Sequence, residues 1–232
     1  MTIQWNKIGA LFRKDLKDAL KNTQCLIILA LPIFMVLLYS NLSFGEESMP
    51  ASFVFVFGLL MNLSILPVTA MSMMIAEEKE KFTLRTLMLS NVTAADFLIS
   101  KALVVLLITT CSNLVIYGLT LAESITLARL LPATTLTIVC MLMFGSLVGI
   151  LSRNQMATGM FAAPAMLLFL LPPAFAPMSD AMAAIARFVP TQAMLEMMDG
   201  SGSLAANLAV LLTWTGLGAA LFGAAYRKKR FD

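Results

Sequence analysis

Residues 52–76 read SFVFVFGLLMNLSILPVTAMSMMIA, an uncharged apolar run that gives way at once to the alternating charges EEKEK of residues 77–81. A helix rising about 1.5 Å per residue crosses ~30 Å of hydrocarbon in roughly 20 residues, so the run from Ser52 to Ala76 is long enough to span a bilayer. Five further runs have the same character: Cys25 to Leu42, Ala102 to Leu121, Leu130 to Leu151, Met156 to Pro177 and Leu204 to Tyr226. The 16 Lys and Arg and the 13 Asp and Glu residues all fall between these runs. In lipid, only helices and closed barrels satisfy their backbone groups internally, and the runs lack the period-2 alternation of barrel strands. The expected fold is all-α, an integral membrane bundle of six transmembrane helices forming one domain over residues 1–232.

Composition agrees. With 59% hydrophobic residues and a mean hydropathy of +0.88, the 232 residues carry too little polar surface for a soluble fold. A long charged segment precedes the first run and no small-residue cleavage site follows it, so that run is expected to persist as a helix and not to be removed as a signal peptide. Lys and Arg are retained on the cytoplasmic side of a membrane. An inside N-terminus puts the cations of residues 7–21, Lys79, Lys81, Arg85, Lys101, Arg153 and the basic cluster of residues 227–230 in the cytoplasm, leaving only Arg129 and Arg187 outside. The expected topology is multi-pass with both termini cytoplasmic. The net charge of +3 follows from that topology and implies no nucleic-acid partner.

Chemistry on a substrate is not expected. Cys25, Cys111 and Cys140 have no metal-ligand spacing and read as small apolar packing residues, and the chain has no histidine. Nothing resembles a catalytic residue, a metal site or a proton relay. The polar residues of the spans, Asn62, Ser64, Thr69, Thr109, Thr110, Ser112, Asn113, Thr135, Thr137 and Ser146, read as interhelical hydrogen-bond partners. Active transport would then draw its energy from outside the bilayer. No GxxxxGK[ST] loop is present, which assigns any nucleotide hydrolysis to another polypeptide.

A place for that polypeptide to attach is the segment between the second and third runs, Glu77 to Thr93. Leu84, Leu87 and Met88 recur at helical spacing and give a short amphipathic helix able to dock in a groove of a soluble protein. A solvated loop, or a helix resting on lipid, has the same composition. Thr93-Ala94-Ala95-Asp96 has capping-box spacing and should start the third helix about two turns before the bilayer.

The run Glu77-Glu78-Lys79-Glu80-Lys81 followed by Thr83-Leu84, Leu87, the turn from Ser90 to Thr93, Phe97-Leu98-Ile99 and Ser100-Lys101 resembles the cytoplasmic signature of type-2 ABC transporter permeases. It departs from it at Phe82, where a glycine is frequent, and at Asn91, where a proline is common. The resemblance implies a coupling segment over 77–100 in which Glu77, Glu78, Lys79, Glu80, Lys81, Thr83, Leu84, Arg85, Leu87 and Met88 engage an ABC ATPase subunit. ATP and Mg would be bound by that partner, with no cofactor in this chain. Residues 1–24 carry Ile8, Leu11, Phe12, Leu16, Ala19 and Leu20 on one helical face and Lys7, Lys14, Lys17, Asp18 and Lys21 on the other, which suits a helix lying in the lipid headgroups; the family has an interfacial elbow helix there.

Pro172 and Pro173 should bend the fifth helix, after which Ser179 to Phe188 and Thr191 to Asp199 read as short helices broken at Val189-Pro190, with Gly200 as terminator. The segment 178–203 resembles the family's re-entrant helix pair, in which Phe188 and Pro190 would belong to an external gate, although the family commonly has Asn-Pro at the break. An ordinary outer loop is the alternative. Six spans are half a transporter in this family, which implies two ATPase subunits and a second permease copy or a related permease. Gly145 and Gly149 form a GxxxG match, and Gly216, Ala220 and Ala224 a small-residue ladder; either could pair two permease copies, but both are expected to pack helices within one subunit. By the resemblance, Phe53, Phe55, Phe57, Asn62, Pro67, Phe161, Phe169 and Phe175 are candidate lining residues of the substrate pathway. The 18 methionines suit apolar or amphipathic cargo. Small bacterial permeases of this type that export phenol-soluble modulins or confer bacteriocin immunity are the most similar kind. The expectation is a permease of the bacterial cytoplasmic membrane exporting amphipathic peptides or lipophilic drugs. The alternatives are a membrane protein that sequesters a peptide without pumping it, and a passive channel.

Overall fold

The computed structural model describes residues 5–41, 43–44, 47–48, 50–81, 93–120 and 125–230. Helix α1 (Trp5–Lys21) buries Ile8, Leu11, Asp15 and Ala19 along one stripe. The Asn22 side chain then accepts from the backbone N–H groups of Gln24 at 3.0 Å and Cys25 at 3.3 Å, capping α2 (Thr23–Asn41) and setting the corner between the two helices. A two-residue ladder pairs β1 (Ser43–Phe44) with β2 (Glu47–Ser48) antiparallel. Helix α3 (Ala51–Glu80) follows Pro50, and α4 (Ala94–Thr120) begins at a closed capping box. In that box Thr93 N–H donates to the Asp96 carboxylate at 3.2 Å, and Asp96 N–H donates to the Thr93 hydroxyl at 3.1 Å.

Next come α5 (Leu127–Leu151) and α6 (Gln155–Phe175), the latter capped by the Asn154 side chain, which accepts from Ala157 N–H at 2.8 Å. A 3₁₀ turn (Ala176–Met178), α7 (Asp180–Ala186), α8 (Pro190–Asp199) and α9 (Leu204–Arg230) complete the chain. Gly200 ends α8 at φ 74°, in the left-handed region where a side chain is disfavoured. Six helices, α2, α3, α4, α5, α6 and α9, are long and apolar enough to cross a membrane. They coincide with the six apolar runs, but α3 continues through Glu80. The short helix expected to start at Glu77 therefore begins as the last turn of α3, and 82–92 lie outside the described residues.

Helix α3 is the centre of the bundle. Its most apolar stretch is 83% buried, against 17% for α2, 22% for α6 and 11% for α9, and it packs on α2, α4, α5 and α6. Glycines bring α3 and α5 together. A Cβ at Gly145 would lie 2.9 Å from the Val68 carbonyl oxygen and 3.0 Å from that of Pro67, and one at Gly149 would lie 3.0 Å from that of Ser72. The GxxxG match is thus an intrachain contact, as expected. The ladder in α9 is not: a Cβ at Gly216 would meet nothing within 4 Å, and Ala220 and Ala224 are exposed. The reason is register. Leu211 and Gly218 turn α9 towards the bundle, where Gly218 abuts Met143 and Phe144, and the ladder falls on the outward face.

In the interior, Asn62 Nδ2 donates to Asn113 Oδ1 at 2.7 Å and Ser112 Oγ donates to Asn62 Oδ1 at 3.1 Å, joining α3 to α4. Thr69, Thr137 and Ser146 instead donate to carbonyls of their own helices, so they are not the interhelical partners expected.

Candidate functional site

Successive residues of a helix point about 100° apart, so four charged residues in a row face four directions. At the end of α3 each of the four meets a different neighbour. Glu77 pairs with Lys81 at 2.5 Å one turn on, and its other oxygen accepts from Asn22 Nδ2 at 3.5 Å, at the α1–α2 corner. Glu78 pairs with Lys14 of α1 at 2.6 Å and Lys101 of α4 at 3.5 Å. Lys79 Nζ donates to the carbonyls of Gly149 at 3.3 Å and Ile150 at 2.8 Å, and to that of Ser152, at the C-terminus of α5. Glu80 accepts from Gln155 N–H at 3.1 Å, at the first residue of α6.

The signs fit the helix ends. The last carbonyls of a helix and its first N–H groups lack intrahelical partners and carry partial charge, negative at the C-terminus and positive at the N-terminus. A lysine closes the end of α5 and a glutamate opens α6. Side chains of one helical turn and a half thereby fasten α1, the α1–α2 corner, α4, α5 and α6 to α3.

Behind this turn lies a buried ion cluster. Lys101, 2% exposed, pairs with Asp15 at 3.1 Å as well as with Glu78, and Asp15, 3% exposed, also accepts from Ser100 Oγ at 3.1 Å. With Lys14 at the solvent edge, Lys14, Asp15, Glu78 and Lys101 balance to zero charge, which lets the three buried ions persist out of water. Burial of Lys14 works to lower its pKa; its hydrogen bond to Glu78 and the nearby carboxylates of Glu78, Asp15 and Asp18 prevail and raise it above the ordinary lysine value. Lys81 is raised chiefly by its hydrogen bond to Glu77. A cavity of about 130 Å³ adjoins the cluster, with Ala70, Met73, Met74 and Cys25 forming its apolar wall, and a wider cleft of about 470 Å³ lies among Asp18, Lys21, Asn22, Glu77, Glu80, Lys81 and Gln155.

Of the residues expected to couple to an ATPase, the structure thus brings Glu77, Glu78, Lys79, Glu80 and Lys81 together, while Thr83, Leu84, Arg85, Leu87 and Met88 lie outside the described residues. Sequence reasoning passed over Asp15, although a carboxylate in register with Ile8, Leu11 and Ala19 is a signal that this face meets a cation.

At the opposite end, α7 and α8 form the two short helices expected, broken at Phe188–Val189. Trp214 Nε1 of α9 donates to the Phe188 carbonyl at 2.6 Å, and Thr191 Oγ1 donates to the Phe169 carbonyl of α6 at 2.5 Å. The Phe169 ring lies 5.2 Å from Phe144 and 5.5 Å from Trp214, centroid to centroid. Pro190 is buried, whereas the Phe188 side chain is 71% exposed. The eight candidate pathway residues divide. Phe53, Phe161 and Phe175 are exposed, and Phe57 is half-buried against Phe53 and Tyr39. Phe55 packs on Tyr117, Asn62 bonds to Asn113, Pro67 lies against Gly145 and Phe169 fills the aromatic cluster, so these four are buried inside the chain.

Six apolar helices around a buried central one, with ionic residues gathered at their ends, define a multi-pass membrane protein. The chain matches the family described as ABC-2 family transporter protein over residues 39–226 and belongs to that family. It is therefore the membrane component of an ABC transport system, a class that associates with an ABC ATPase. No curated protein matches it.

Proposed function

We propose that this chain is the permease of a bacterial ABC exporter and carries amphipathic peptides or lipophilic drugs outward across the cytoplasmic membrane. Both termini and the charged end of α3 face the cytoplasm, where two ATPase subunits bind ATP and Mg; a second permease copy or a related permease completes the conduit. The observation that carries the reading is the end of α3. The segment from Glu77 to Met88 begins in a turn fastened to α1, α4, α5 and α6, so a push on it from an ATPase would move several helices at once. The exposed faces of α2 and α6, with Phe53, Phe57, Phe161 and Phe175 nearby, leave room for a second subunit and an apolar path. Helix α1 would rest in the lipid headgroups, and Phe188 and Pro190 would belong to an outer gate.

Replacing both Leu84 and Leu87 with Asp is expected to abolish co-purification of a P-loop ATPase from the native membrane and to stop ATP-driven efflux, while the chain still inserts. Efflux that survives the double change would overturn the coupling assignment. Recovery of the wild-type chain without any ATPase would favour the sequestering or channel alternatives.

A further inference from the structure

Thr191 and the Pro172-Pro173 pair join the gate to its frame through one hydrogen bond that the sequence makes available by subtraction. In an α-helix the carbonyl of residue i bonds to the N–H of residue i+4, or of i+3 where the helix tightens. For Phe169 those two residues are Pro173 and Pro172, and neither has an N–H. The Phe169 carbonyl is thus deprived of both helical donors while its residue is fully buried, and a buried carbonyl left unpaired is costly. Thr191, itself fully buried in the first turn of α8, donates its hydroxyl to that carbonyl at 2.5 Å. Three residues earlier the Phe188 carbonyl takes the Trp214 indole N–H at 2.6 Å.

The two bonds flank the break between α7 and α8 and treat its sides differently. Helix α8 is held by buried Pro190, Thr191, Ala193, Met194 and Met198, whereas α7 buries only Ala186. We infer that Thr191 is a positioning residue of the outer gate: its bond to the Phe169 carbonyl, which Pro172 and Pro173 leave without a helical donor, fixes α8 to α6 as a post, and residues 176–188 are the part that swings. This inference rests on the reading of 178–203 as a gate.

Hydrogen exchange of the full chain in lipid nanodiscs, without cargo or nucleotide, tests the bond directly. Thr191→Val keeps the shape and removes the hydroxyl, and should speed exchange of amides 176–193 roughly tenfold, as expected for the loss of one buried hydrogen bond, with α3 to α5 unchanged. Thr191→Ser should restore wild-type exchange. Unchanged exchange in Thr191→Val, or a rise spread over the whole chain, would overturn the latch. ATP-driven efflux with the ATPase partner is the separate readout. A changed turnover at unchanged ATP dependence supports the latch as part of the gate, and accelerated exchange with unaltered efflux would overturn the gate reading itself.

Discussion

Lys101 sits where a single charge decides whether its surroundings are tolerable. Its amine is shared between Asp15 and Glu78, and Glu78 has Lys14 as a second ion-pair partner, whereas the described hydrogen bonds of the Asp15 carboxylate come from Lys101 and the Ser100 hydroxyl, with Lys14 acting on it only through its field. Lys101→Met therefore removes the only cation bonded to the buried Asp15 among the described residues, leaves the cluster with a net negative charge and should cost up to about 3–5 kcal/mol. Adding Asp15→Asn restores neutrality, leaves the amide a hydroxyl partner and should recover most of the loss. Chemical denaturation of the purified chain, single against double variant, checks this; a double variant as unstable as the single one would mean that the charge balance is not what holds the cluster. At this scale the EEKEK motif was readable from the sequence but its partners were not. Lys14 and Lys101 lie 64 and 23 residues from Glu78, and nothing in local spacing encodes which distant cation a given carboxylate meets.

Among the elements, the contrast between Gly145 and Gly216 shows how much a helix's rotation decides. The same substitution should have opposite signs at the two positions. Gly145→Ala drives a methyl into backbone oxygens of α3 at about 3 Å and should destabilise by roughly 1–3 kcal/mol. Gly216→Ala adds a methyl in open space and gains helix propensity of up to about 1 kcal/mol. Thermal unfolding of each variant in detergent measures both, and equal losses would remove the assigned register of α9. The spans themselves were readable because lipid excludes charge, which leaves sharp edges in the sequence. Their ends were less so: glutamate and lysine are good helix formers, so the hydrogen-bonded ladder of α3 runs on past the point where the apolar residues stop. The outward ladder of α9 was misread because small-residue spacing marks a face and does not say what lies against it.

For the whole molecule, the attachments sort the six spans into a core and a periphery. Helices α3, α4 and α5 are joined by the Asn62–Asn113 bond, the close glycine packing and the Lys79 contacts, whereas α2, α6 and α9 keep most of their surface outside the chain. Span number and family were readable because both rest on local pattern. Which span lies at the centre was not, since α2, α3, α4 and α5 have equal mean hydropathy and differ in how they assemble.

The neutrality of the Lys14–Asp15–Glu78–Lys101 cluster bears on electrical work. A membrane potential acts on net charge moved through the field, at about 2.3 kcal/mol per elementary charge per 100 mV. The apolar runs carry no ionised side chain, and the cluster of buried Asp15, Glu78 and Lys101 with Lys14 at its edge sums to zero, so a conformational cycle that moves these groups together displaces almost no net charge. Any voltage dependence of transport would then belong to the cargo. In proteoliposomes held at different potassium diffusion potentials, an uncharged cargo should be carried at a rate indifferent to voltage, and a cationic one at a rate that scales with it; voltage-dependent ATP turnover in the absence of cargo would show that the protein moves charge after all.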